Sequence, residues 1–151
     1  MSQDLRELQI PPRGLQAVLG LPDLARGLVV FAHGSGSGRL SARNRAVAGD
    51  FDRVRLATLL FDLLTEDEAR IDAATTHLRF DVSLLSMRLL GATEWAIRQP
   101  ETSALPLGYF GASTGAAAAL VAAAERPEFV HAIVSRHLAR SGSTLVRTLG
   151  S

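Results

Sequence analysis

The chain has 151 residues, enough for one domain around a single core, and its 47% hydrophobic and 21% charged content belongs to a globular protein, not a disordered one. With 16 Lys and Arg against 15 Asp and Glu, the net charge of +1 supplies no field that would hold a polyanion, so a nucleic-acid surface is not supported. Cysteine is absent, which excludes a disulfide framework, a thiolate nucleophile and a cysteine zinc site within these residues.

The opening stretch MSQDLRELQIPPRG carries Asp4 and Glu7 and no long apolar core, so it reads as neither a signal peptide nor a membrane anchor, and a cytoplasmic location is expected. Alternating segments at 5–10 and 14–20, separated by Pro11, Pro12 and Gly14, predict strand, turn, strand. GLVVFAHGSGSG places an unbroken apolar run at 28–32 before a set of glycines, the pattern of a parallel strand covered on both faces. A short helix is expected over 42–50 and a second buried strand over 54–62, followed at 63–77 by a polar loop with a helical turn. Leu78, Val82, Leu85, Leu89, Ala92 and Ala96 then recur at intervals of four and three, predicting an amphipathic helix over 78–98 with Pro100 as its stop. On it Glu94 and Arg98 have the spacing of a surface ion pair. A strand at 105–110, an alanine-rich helix from Ser113 to about 125 and an apolar strand at 129–135 complete an alternation that indicates a mostly parallel α/β sheet with helices on both faces. The remainder, 136–151, is rich in Arg, Ser, Gly and Thr and shows no obvious strand; the domain is therefore read as 1–135 with an atypical basic tail at 136–151.

YFGASTGAAAAL, residues 109–120, sets Ser113 in the pattern GxSxG between a strand and a helix. That spacing serves a sharp turn: a strained serine backbone lifts the hydroxyl clear, and glycines two positions away, Gly111 and Gly115, avoid the neighbouring strand and helix. A helix N-cap is the competing role for the same serine. His33 to Gly38 follow the 28–32 strand, and small residues there let the chain curl its N–H groups around a developing oxyanion; the amides of Ser35 and Thr114 are the expected donors. A phosphate-cradling loop competes for this stretch, but it has neither the lysine-hydroxyl ending of one nucleotide motif nor the GxGxxG of the other.

Three blocks, GLVVFAHGSGSGRLSARNRAVA, LATLLFDLLTEDEARIDAATTHLRFDVSLLSMRLLGATEWA and LPLGYFGASTGAAAALVAAAERPEFVHAIVSR, resemble the successive blocks of the alpha/beta-hydrolase superfamily, in its dienelactone-hydrolase-like serine members. The resemblance covers nearly all of 14–135 and implies the N-terminal portion of such a fold, ending before the acid and the histidine. It further implies that His33 and Gly34 open the oxyanion loop, that Ser35 contributes its amide, and that Ser113 and Thr114 fill the nucleophile and second oxyanion positions. Where many members of that family carry cysteine as nucleophile this chain has serine, which favours an esterase-like member.

The chain order serine, acid, histidine expected of such an enzyme is not completed. His33 reads as a loop-positioning residue, His77 as exposed or capping, His131 as packed in a strand, and His137 lies in a sequence unlike the family's final histidine loop. Asp62 ends a strand but precedes Ser113, and Glu125 and Glu128 fall near the far end of the following helix. Arg39, Arg43 and Arg45 read as solvated charge. The expectation is a serine hydrolase of small carboxylic esters or lactones at the family level, with turnover by this chain in doubt; the alternative is a noncatalytic scaffold that self-associates or binds a protein partner through an exposed sheet edge. No metal, cofactor, membrane or nucleic acid is expected.

Overall fold

The computed structural model describes residues 4–33, 38–136 and 144–148. Two antiparallel strands, β1 (Asp4–Ile10) and β2 (Leu15–Leu21), open the chain. They are followed by β3 (Gly27–Ala32), α1 (Ala42–Arg53), β4 (Leu56–Phe61), α2 (Glu66–Thr75), a single 3-10 turn at Leu78–Phe80, and α3 (Val82–Arg98). β5 (Leu107–Ala112), α4 (Thr114–Glu125), β6 (Val130–Arg136) and β7 (Thr144–Thr148) complete the order. Among the described residues the strands join one seven-stranded sheet in the order β1-β2-β4-β3-β5-β6-β7. Its four central strands are parallel and the outer pairings are antiparallel.

The apolar runs of β3, β4 and β5 are buried on both faces because helices cover both. On one side α3 and α4 press Leu85, Leu89, Ala92, Ala96, Ala118, Ala119 and Ala122 into the larger core with Val30, Leu59 and Tyr109. On the other, α1 lays Ala48 and Phe51 over Phe31, Leu60 and Phe110. The rings of Phe31 and Phe110 lie 5.1 Å apart, and Phe51 meets each of them edge-on at 6.0 Å. Alanine dominates the inner face of α4, so that helix sits close against sheet and neighbour, while Leu120 and Val121 face outward.

Four expectations are corrected. Residues 66–75, expected to be loop, form a ten-residue helix, because Thr65 and Glu68 make a capping box: each side chain accepts from the other residue's backbone N–H. The tail supplies β7, whose antiparallel pairing runs from Ala132↔Thr148 to Arg136↔Thr144, so β6 is not left as an open edge. Its β-branched residues at 144, 146 and 148 suit an extended chain beside an unpaired partner. Glu94 pairs with Arg126 of the next helix's end at 3.5 Å in place of Arg98. His131 is exposed, not packed.

Candidate active site at the carboxyl edge of the sheet

Because β4, β3, β5 and β6 run parallel, their carboxyl ends meet on one edge, where ligands of open α/β sheets bind. That edge carries Asp62 after β4, His33 after β3 and Ser113 after β5. Ser113 is exposed, adopts φ 57 and ψ −128, and makes no side-chain capping hydrogen bond, so the N-cap role does not describe it. A non-glycine residue rarely holds such angles unless the surroundings impose them.

The two glycines show what imposes them. A Cβ at Gly115 would overlap the carbonyl oxygen of Ala32 and stand 2.6 Å from that of His33, while a Cβ at Gly111 would stand 2.7 Å from Ala116 Cα. The first turn of α4 is therefore driven against the end of β3, and the serine between the glycines absorbs the bend. Thr114 begins the helix; its N–H belongs to the set with no intrahelical acceptor, and no acidic residue lies in that turn. Thr114 Oγ1 is buried and has no hydrogen-bond partner among the described residues.

His33 Nε2 accepts the Leu63 N–H at 3.2 Å, so in its neutral form the imidazole carries its proton on Nδ1. The loop-positioning reading of His33 fits this contact. Asp62 accepts the Arg39 N–H at 2.8 Å through Oδ1 and the Arg39 guanidinium through Oδ2, so Arg39 is engaged, whereas Arg43 and Arg45 are exposed on α1. Gly34, Ser35 and His137 lie outside the described residues.

A cavity of about 520 Å³ opens beside this edge. Thr114 and His33 reach it from the Ser113 side, Leu63, Leu64 and Leu85 supply its apolar wall, and α2 contributes Glu66, Asp67, Ala69 and Asp72. Two clamps that the sequence reading missed hold α2 in place. Arg88 of α3 donates both terminal nitrogens to Glu68 at 2.7 Å, and this hydrogen bonding, helped by the Thr65 amide, holds the Glu68 carboxyl down at about 2 against the cost of burial. Asp72, itself buried, receives the Arg79 N–H at 2.9 Å and its Nε at 2.8 Å; burial works to raise its pKa, but the Arg79 bonds outweigh it and leave the carboxyl below its ordinary value. The capping-box spacing of Thr65 and Glu68 and an arginine set on an apolar stripe were the available signals.

Ser113 has no acid or histidine partner among the described residues that follow it. Glu125 ends α4, Glu128 precedes β6 and His131 lies near its start, all at the amino edge of the sheet.

No protein-family model matches the chain. A solved dienelactone hydrolase from Anabaena variabilis is 54% identical with a TM-score of 0.83, over 89% of this chain and 62% of that one. A dienelactone-hydrolase-like promiscuous phosphotriesterase from metagenomic libraries shares the fold at TM-score 0.68 and 17% identity, over 90% of this chain and 59% of that one. Proteins of two Mycobacterium tuberculosis strains, provisionally named phosphoribosyl transferases, are 56% identical over 118 residues, which make up 78% of this chain and 26% of theirs. The chain thus spans about a quarter of the curated relatives it matches and under two thirds of the solved hydrolase.

Proposed function

From a chain that belongs to the alpha/beta-hydrolase superfamily and has a dienelactone-hydrolase-like fold, we propose a serine hydrolase site for small carboxylic esters or lactones, with Ser113 as nucleophile. The observation that carries this reading is the exposed, uncapped Ser113 at φ 57, whose chain neighbour Thr114 lines a cavity of about 520 Å³. In this scheme a histidine removes the Ser113 proton and Ser113 attacks the carbonyl carbon. The amides of Thr114 and Ser35 receive the oxyanion, the alcohol leaves with the proton, and water releases the acid from the acyl-enzyme. Of the groups this scheme needs, Ser113 and the Thr114 amide are the ones proposed among the described residues; the base and its acid have no counterpart among them.

The cavity's charge favours a neutral substrate. Three of the four carboxylates on its wall are ion-paired, Asp62 with Arg39, Asp67 with Arg70 and Asp72 with Arg79, and Glu66 is matched by Arg13, so the wall offers no surplus of positive charge to a ligand rich in phosphate. The provisional name phosphoribosyl transferase gains no support from that wall.

A second reading, a noncatalytic scaffold, is favoured by the missing base and acid. A fluorophosphonate, which phosphonylates nucleophilic serines, separates the two. Labelling of the purified chain at Ser113, lost in Ser113→Ala, is the expected result; a folded chain that resists labelling at Ser113 favours the scaffold.

A further inference from the structure

Besides the hydroxyls of Ser86 and Thr93, the buried face of α3 contains one charged residue, which hydrophobic packing does not explain. Arg88 is 6% exposed between Leu85 and Leu89, and a guanidinium is buried at such a place only if its donors are used. Its two terminal nitrogens take Glu68, and Nη1 also donates to the carbonyl oxygen of Leu63 at 3.2 Å, while Nε stays buried without a partner among the described residues. The side chain is aimed at Leu63 and Glu68 at the expense of its own full satisfaction.

Leu63 is where that aim has a consequence. Its C=O is held by Arg88 and its N–H donates to His33 Nε2, so both faces of this one residue are oriented by hydrogen bonds to other elements. Asp62, one residue earlier, holds Arg39 by backbone and side chain and lies so near Gly38 that a Cβ there would stand 2.8 Å from Oδ1. The carbonyl of Gly38 in turn accepts from Ser41 N–H at 3.0 Å and Asn44 Nδ2 at 3.4 Å. His33 on one side and Gly38–Arg39 on the other are therefore registered on two consecutive residues at the end of β4.

We propose that Arg88 is a positioning residue of the Ser113 site, acting through Leu63 to fix His33 at the end of β3, against the first turn of α4. Its chemical consequence rests on the serine-hydrolase reading; its structural part does not. A clamp for α2 alone would need only Glu68, whereas the bond to the Leu63 carbonyl ties α3 to the sheet edge that carries the site.

The test uses the full chain and the variants Arg88→Met, Arg88→Lys and Glu68→Gln. Three quantities are followed: hydrogen exchange at the Leu63 amide, the His33 tautomer by long-range nitrogen NMR, and the rate of Ser113 phosphonylation by a fluorophosphonate. Arg88→Met should speed Leu63 exchange, mix the His33 tautomers and slow phosphonylation by about tenfold or more, the scale at which small misplacements act. Arg88→Lys, able to serve Leu63 or Glu68 but not both, should recover part of each. Glu68→Gln, which leaves Arg88 on Leu63, should stay close to the native chain in all three. If Arg88→Met does not fold, Arg88→Lys against Glu68→Gln decides. Equal effects of the Arg88 and Glu68 variants, or native exchange and tautomer in the Arg88 variants, would overturn the proposal. Absence of labelling in the native chain would count against the hydrolase reading, while exchange and tautomer still judge Arg88.

Discussion

At Ser113 the backbone holds angles that cost an L residue about 1–3 kcal/mol, a cost the packing of Gly115 against β3 enforces. Glycine adopts such angles freely, so Ser113→Gly should stabilise the chain by roughly 1 kcal/mol after its greater unfolded-state entropy is counted, and should abolish fluorophosphonate labelling. Ser113→Ala should abolish labelling without that gain; denaturant melts of both variants check the pair. Gly115→Ala has the opposite sign, with a loss of about 3 kcal/mol or more, since the new methyl overlaps backbone that cannot step aside. Tyr109, the chain's one tyrosine, offers a separate check. Burial pushes its phenol up to about 12, although the Thr93 hydroxyl at 2.6 Å pulls the other way. A raised folded pKa means that this contribution is full below the unfolded value near 10 and is lost as pH rises through about 12. Phenolate absorbance of the folded chain should therefore appear about two units later than in denaturant; coincident titrations would show that the ring is not sealed in the core.

Among the α-helices, α2 depends least on the core: Asp72 is its one buried residue, and Arg88 and Arg79 hold it. The Glu68 carboxyl falls from 4.5 to about 2 on folding, so its contribution is complete above 4.5 and fades as pH drops through about 2. That shift corresponds to something on the order of 3 kcal/mol. Glu68→Gln should accordingly flatten the acid side of the stability curve, read from denaturant unfolding between those two pH values. An unchanged slope would mean that Arg88 does not hold the carboxylate. Sequence periodicity passed over this helix because its apolar residues are too few to form a stripe; its stability comes from caps and ion pairs made to other elements.

For the whole molecule, the question is what closes the sheet. One edge is β1, which faces solvent with Asp4, Arg6 and Glu7 and carries an Arg6–Glu101 pair at 2.9 Å, charges that discourage pairing with another chain. The other edge is β7, which pairs along β6 and so covers that apolar strand. Deleting 137–151 should uncover the outer edge of Val130–Arg136 and produce concentration-dependent light scattering that the full chain lacks. Identical, concentration-independent scattering from both would mean that the pairing contributes nothing to solubility. Steady hydrolysis of short nitrophenyl esters by the full chain is expected to be orders of magnitude below that of a complete triad, because a histidine oriented by an acid is what makes the serine fast through repeated turnovers, whereas a single phosphonylation needs only one slow attack. Turnover abolished by Ser113→Ala would show that a base reaches the serine after all.

The parallel centre of the sheet, the helices on its two faces and the strand–serine–helix turn were legible in the sequence, because each is written locally: an unbroken apolar run in 28–32, a short strand segment in 105–110, a stripe along 82–96, and GxSxG between strand and helix. Those patterns need no knowledge of what lies across the core. The partners of polar groups were not legible. Asp62 meets Arg39, Leu63 meets His33, and Arg88 reaches Leu63 and Glu68 across 20 to 30 residues of chain, and a hydrogen bond leaves no periodicity behind it. The same holds for β7, whose five residues are too few and too polar to announce a strand and which extend because β6 presents them with unpaired N–H and C=O groups. Local pattern decided which elements form; only tertiary contact decided which carboxylate, imidazole and guanidinium stand together at the edge where Ser113 sits.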